Sequence, residues 1–231
     1  MMIKLNVELP GVTLGLLEAD GVRIGPAPPG LVQLIAKIAG ETQRAFSLES
    51  LADTESTRAV RAMFRRWGVD PSKYRPSSEA LMRRVVQGKG LYHVSNVVDI
   101  GNLGSIETGW PYGLYDRDKI RPPISFRHGA HDEMYEGIGK RAWHLAGRPV
   151  LADAQGPFGS PISDSTRTMV TESTDSVLGI IYAPEHSSQS SIEVALSLLG
   201  ESLTQYAAAR AIRFGLSPRK AEIGKSNVEF Q

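Results

Sequence analysis

The chain has 231 residues, with 26 Lys and Arg against 25 Asp and Glu, a net charge of +1, 41% hydrophobic residues and no cysteine. This is the composition of an ordinary folded protein, and the missing cysteines exclude disulfides, thiolate catalysis, zinc ribbons and iron–sulfur clusters. No apolar run reaches the roughly 20 residues of a membrane helix, and residues 1–8 lack the basic-then-apolar layout of a signal peptide, so a cytoplasmic protein is expected.

Residues 3–9 alternate apolar and polar, residues 12–17 run apolar to the turn signal Asp20-Gly21, and residues 22–24 are strand-like, so short strands are expected first. Leu31, Leu34, Ile35 and Ile38 follow at helical spacing within residues 31–46. From Asp53, an N-cap candidate, Val60, Met63, Phe64 and Trp67 fall at i, i+3, i+4 and i+7, and Gly68 stops the helix. Arg58, Arg61 and Arg65 then share the opposite face, expected to meet solvent. A third helix opens at Pro76, carries Arg83 and Arg84 on its polar side and ends at Gly88. Residues 58–89 hold nine basic side chains against two acidic ones.

The middle of the chain is rich in glycine and proline, with Gly101, Gly104, Gly109, Pro111, Gly113, Pro122 and Pro123. Strand-like pieces follow at residues 124–127, 149–152, 168–170 and 177–182, and a last amphipathic helix is expected over 192–214 after a polar linker at 186–191. Strands mixed irregularly with helices point to an α+β fold rather than a regular βαβ array.

The common catalytic motifs are missing: no G-x-S-x-G elbow, phosphate-binding loop, H-E-x-x-H or dinucleotide fingerprint occurs. His128, His131, Asp132 and Glu133 have ligand chemistry, but Gly129-Ala130 beside a strand reads better as a polar turn, so no metal site and no cofactor is expected. The hydroxyl-rich residues 160–176 contain no histidine to act as base, which favours structural hydroxyls.

One stretch is more specific. Val97-Val98-Asp99-Ile100-Gly101-Asn102, followed by Gly109-Trp110-Pro111-Tyr112-Gly113-Leu114-Tyr115-Asp116, resembles the V-V-D-I-T-N and G-Q-P-L-H-A-F-D segments of the editing domain in the beta chain of bacterial phenylalanyl-tRNA synthetase, without a gap between them. Residues 71–84, 124–127, 150–153 and 177–184 fall in the family's order, so the resemblance spans about 58–184. It implies a mixed or antiparallel sheet sandwich of unusual topology with helices packed outside. Together with the elements read above, one domain is expected over residues 1–216, with N-terminal strands and helices in 1–57, an editing-domain-like core in 58–184 and a C-terminal helix in 185–216, and then a loose tail over 217–231.

The family's reaction is hydrolysis of tyrosine wrongly attached to the phenylalanine tRNA. A chain of 231 residues is too short for the synthetase's other modules, so a free-standing relative acting in trans is expected, and not a ligase. The resemblance assigns Asn102, Pro111 and Tyr112 to an amino-acid pocket, with Gly113 where the family has a histidine and Gly179 where it has a glutamate. Glycine offers only backbone and space at both positions, so no catalytic residue is assigned. Two readings stay open: an aminoacyl-tRNA ester hydrolase, or a non-catalytic module that binds RNA, an amino acid or a small metabolite. The RNA partner is tRNA or aminoacyl-tRNA, met by Arg58, Arg61, Arg65, Arg66, Arg83 and Arg84; no DNA or membrane partner is expected.

Overall fold

The computed structural model describes Ile3, residues 5–139 and residues 141–216; the expected tail at 217–231 lies outside the described residues. Its α+β fold is built on β2 (Val12–Asp20) and β9 (Ser176–Pro184), which pair antiparallel over all nine residues. Both strands read as near-continuous apolar runs because both of their faces are covered. They lie at the centre of a sheet in the order β10 (Ala211–Leu216), β2, β9, β3 (Tyr112–Asp116). A second sheet has the order β1 (Leu5–Val7), β4 (Ile124–His128), β7 (Pro149–Asp153), β8 (Gly156–Gly159), with β1 parallel to β4 and the other pairs antiparallel. A hairpin of β5 (Met134–Gly137) and β6 (Arg141–His144) stands beside them.

Two apolar cores follow from the two faces of the β10-β2-β9-β3 sheet. Between the sheets, Leu14, Leu16, Tyr115, Leu178, Ile180 and Tyr182 meet Leu5, Phe126, Leu151 and Phe158. On the other face, Leu17, Ala19, Val177, Ile181 and Ala183 meet helices α1 (Pro29–Ala45), α2 (Leu48–Ala52), α4 (Ser77–Val86), α5 (Asn96–Thr108) and α6 (Gln189–Ala207). Helix α3 (Glu55–Arg66) joins the first core instead, through Val60, Met63, Phe64 and the following Trp67.

Several sequence expectations change. Thr54, not Asp53, caps α3, its hydroxyl accepting from the Thr57 amide, because Asp53 still closes α2. The last helix stops at Ala207: Ala208 turns left-handed at φ 56°, and residues 211–216 become edge strand β10 on β2 rather than more helix. Residues 22–24 are not a strand, and residues 166–168 form a 3-10 turn. Helix α5, within the glycine-rich middle, shows no apolar stripe because Asn96, Val97, Asp99, Ile100, Leu103, Ser105 and Ile106 are all buried. Among the described residues no helix is long and apolar enough to cross a membrane.

Candidate functional site

Helix α5 starts at the Ser95 cap, whose hydroxyl accepts from Val98, and ends at Gly109 with φ 73°, a turn that favours glycine. Its two inner glycines let it lie directly on β3. A Cβ on Gly101 would come within 2.5 Å of Leu114 Cδ1, and one on Gly104 within 2.8 Å of Tyr112 Cε1. Asn102 sits half-buried on this helix, Pro111 is buried at the strand entry, and the Pro111 carbonyl accepts from the Tyr182 amide at 3.0 Å.

The five expected pocket residues do not share one face. Across β3 and β9, Gly113 stands opposite Ile180 and Leu114 opposite Gly179. Ile180 belongs to the core between the sheets, whereas Leu114 packs on the helix-side core. Cross-strand partners share a face and neighbours alternate, so Gly113 looks into the sandwich, while Gly179 and Tyr112 look toward α5 and α6. On that helix side, the space around Gly104, Tyr112 and Leu199 is about 30 Å³, room for little more than a water.

On the sandwich side the space above Gly113 is taken. A Cβ there would fall 2.2 Å from Tyr115 Oη, and one on Gly159 2.3 Å from the same oxygen, so the Tyr115 ring lies between the two glycines. Its hydroxyl donates to Asp164 Oδ1 at 2.7 Å and lies 3.4 Å from the Tyr182 hydroxyl. The Ser160 amide donates to the same carboxylate oxygen at 3.1 Å. The Asp164 carboxyl is desolvated, and burial pushes its pKa up to about 6 against the pull of those two donors. Burial also pushes the Tyr115 and Tyr182 phenols well up, so both stay protonated donors. Tyr115 stands inside the motif and Asp164 inside the hydroxyl-rich run, yet nothing in either stretch signals that they meet.

A wide groove lies elsewhere, a concavity of about 840 Å³ between α3, the end of α5 and the turn that leads into α6. Glu55, Ala59, Ala62 and Arg66 line it from one face of α3, with Trp110 and Ser188 across from them. Arg58 and Arg65 are exposed on the adjoining face. The other expected arginines are paired or half-buried. Arg61 clasps Glu79 through two bonds of 2.7 and 2.8 Å, and Glu79 is only 3% exposed, so this arginine fastens α3 to α4 instead of facing solvent. Arg66 is paired with Glu185. Arg83 and Arg84 are half-buried, and the Arg84 guanidinium stacks 3.8 Å from the Tyr92 ring centre.

The His128-to-Glu133 stretch forms the turn expected of it. Glu133 is held by Arg127 at 2.7 and 2.8 Å and accepts the Ala130 amide at 2.7 Å, which keeps its carboxyl below the usual range. The hydroxyls of 160–176 close loops: Thr174 donates to Asp116 at 2.8 Å and Ser160 to the Ser163 carbonyl at 2.7 Å.

Comparison with known proteins gives these features a lineage. The family model described as the B3/4 domain matches residues 59–203. The phenylalanine–tRNA ligase beta subunit of Xanthomonas euvesicatoria pv. vesicatoria is 32% identical over 130 residues, covering 51% of this chain and 15% of that protein. The corresponding subunit of Neisseria meningitidis serogroup A is 28% identical over 101 residues, covering 39% of this chain and 13% of that protein. The chain thus spans only a small part of these curated relatives. Among solved structures, an N-terminal fragment of the phenylalanyl-tRNA synthetase beta-subunit from Pyrococcus horikoshii aligns with a TM-score of 0.46 and 16% identity, over 94% of this chain and 55% of that one. With the family model covering well over half of its length, the chain belongs to the B3/4 domain family.

Proposed function

We propose that the chain is a tRNA-binding B3/4 module that meets RNA phosphates along the outer edge of α3 and does not hydrolyse an ester at the positions corresponding to the family's pocket. The observation that carries this reading is the groove of about 840 Å³ bordered by α3, with Arg58 and Arg65 exposed on the adjoining face of that helix. The relatives are subunits of a tRNA ligase, which suggests the RNA class. The absence of hydrolysis is supported by chemistry: Gly113 and Gly179 offer no base, they face opposite sides of the sheet, and Tyr115 fills the space above the first.

The second reading is hydrolysis of a mischarged aminoacyl-tRNA in trans. It is favoured by the groove's volume, which is of the size that holds a small ligand. Deacylation of a panel of mischarged tRNAs separates the two, since the binding module leaves every ester at its background rate.

Binding itself is tested by salt. Phosphate contacts lower log affinity by roughly 0.9 each per tenfold rise in salt on duplex backbones. The wild-type chain is expected to lose tRNA steeply between two salt concentrations, and Arg58→Ala with Arg65→Ala to flatten the slope by up to about two units. Arg61 is left intact, because removing its two bonds leaves the buried Glu79 carboxylate to the longer Arg75 contact at 3.3 Å and confounds binding with stability. An unchanged slope, or no binding at low salt, overturns the reading.

A further inference from the structure

At the opposite end of α5 from the α3 groove, the chain enters the helix through Tyr92, His93, Val94 and the Ser95 cap. Asp99, in the first turn, is 1% exposed. Its Oδ1 accepts the Val94 amide at 3.0 Å, which closes the turn, and its Oδ2 lies 3.1 Å from His93 Nδ1. Turn closure needs only one of the two oxygens. The second orients an imidazole: with Nδ1 donating its proton to Asp99, the tautomer is set and Nε2 becomes the acceptor. The ring is half-exposed and lines a groove of about 390 Å³. Ile24, Pro26, Ala27, Val32, Val94 and Val170 make the apolar wall of this groove, and Ser95, Thr171 and Glu172 add polar groups to its lining. Among the described residues, His93, Asp99 and Glu172 are the titratable groups in its lining.

We propose that His93 and Asp99 form a general-base pair that hydrolyses a small carboxylic ester whose acyl group rests on the apolar wall. His93 Nε2 takes a proton from water as the water oxygen bonds to the ester carbonyl carbon, and the carbonyl electron pair moves onto its oxygen. Collapse re-forms the carbonyl and breaks the bond to the alkoxy oxygen, which leaves with the proton from His93, giving acid and alcohol. Asp99 is the positioning residue, and its carboxylate stabilises the imidazolium between the two steps. Ser95 Oγ accepts from the Val98 amide at 3.4 Å, so the hydroxyl proton is free to turn toward the oxyanion, at the positive end of the thirteen-residue helix. The site is separate from the α3 groove and from the tRNA reading, and its test uses no RNA.

The test is release of nitrophenol from p-nitrophenyl acetate, butyrate and hexanoate by the whole chain. Saturable hydrolysis is expected, with butyrate or hexanoate preferred over acetate. His93→Gln, at a half-exposed position, is expected to lower kcat/KM at least a hundredfold. Asp99→Asn, which keeps an oxygen for the Val94 amide, is expected to lower kcat tenfold or more with KM little changed; a purely turn-closing Asp99 would leave kcat in place. His131→Ala, exposed in the turn after β4, should change nothing, which separates a built site from any surface imidazole. Hydrolysis no faster than with free imidazole at equal concentration, or a His93→Gln rate equal to wild type, overturns the proposal.

Discussion

The two faces of the β10-β2-β9-β3 sheet bury similar amounts of chain but solve the problem with different materials. The face toward the other sheet is aromatic and polar at its heart: Tyr115 meets Phe158 edge-on with ring centres 5.1 Å apart, Phe126 meets Tyr182 at 5.4 Å, and both phenols converge on Asp164. The face toward the helices is aliphatic, with Leu17, Val177, Ile181 and Leu199 around Gly179. Phenols buried in a dry interior need partners, so the first face is fixed by hydrogen bonds as well as by shape. Leucine tips need none, so the second can yield. A glycine on β3 and a glycine on β9 therefore have different meanings, although one register position separates them.

The sharpest way to break this contrast is to fill Gly113. The Gly113→His variant, which would restore the side chain the family resemblance assigns there, must displace a fully buried ring whose oxygen lies 2.2 Å from the new Cβ. Overpacking of this kind costs about 3 kcal/mol or more, read as a lower urea midpoint. Adding Tyr115→Leu makes room and should recover at least about 1 kcal/mol of that loss, a coupling expected of residues in contact. A single variant as stable as wild type would mean that Tyr115 swings aside freely and that the sandwich face is as yielding as the other.

The polar centre makes a second difference visible in pH. The Asp164 carboxyl is raised from 3.8 to about 6 in the folded chain, so the folded state holds its proton more tightly than the unfolded state does. The stability that follows is fully present below about pH 4 and is lost as pH rises through about 6, by between about 2 and 3 kcal/mol. Carboxyls held low by arginines, such as Asp20 and Glu133, act in the opposite sense and below that window. Asp164→Asn keeps an oxygen for Tyr115 and Ser160 and has nothing to titrate. Its unfolding free energy should therefore lose the decline between pH 4 and 6, as measured by urea unfolding at several pH values. Parallel profiles for variant and wild type would remove Asp164 from the account.

Much of this architecture was legible in the chain, in proportion to how one-sided each element is. Helix α3 announces itself because one face meets the sandwich core and the other meets water or Glu79. Helix α5 does not, since it is buried nearly all round and its Gly101 and Gly104 serve contact with β3 rather than turns. Strand β10 was hidden for another reason: Ile212, Phe214 and Leu216 alternate at strand spacing, but they follow the helical run through Ala207-Ala208-Ala209 with no proline or glycine between, and it is the left-handed Ala208 that breaks the helix. The motif positions were legible as a resemblance, but their facing was not. A strand alternates faces with every residue, so a one-residue uncertainty in aligning β9 decides whether a side chain enters the sandwich or the helix layer. The pairing of Asp164 with Tyr115, 49 positions apart, and the clasp of Arg61 on Glu79 depend on tertiary packing that no local pattern encodes.

The smallest effect is expected at the other glycine. A Cβ on Gly179 would meet Leu199 Cδ2 at 3.2 Å, Leu114 Cδ2 at 3.3 Å and Leu17 Cβ at 3.7 Å. The first two are ends of rotatable side chains that need to retreat by only a few tenths of an ångström. The residue lies within a regular strand, paired across to Leu17 and Leu114, where a Cβ carries no backbone penalty and reduces the freedom of the unfolded chain. Mild overpacking and this entropic gain oppose each other at similar size, so Gly179→Ala should change unfolding free energy by less than about 1 kcal/mol. Urea titration of this variant beside Gly113→Ala makes the comparison within one sheet with the same added methyl. If Gly179→Ala proves the more damaging of the two, the helix face is the rigid one and the assignment of roles to the two faces is reversed.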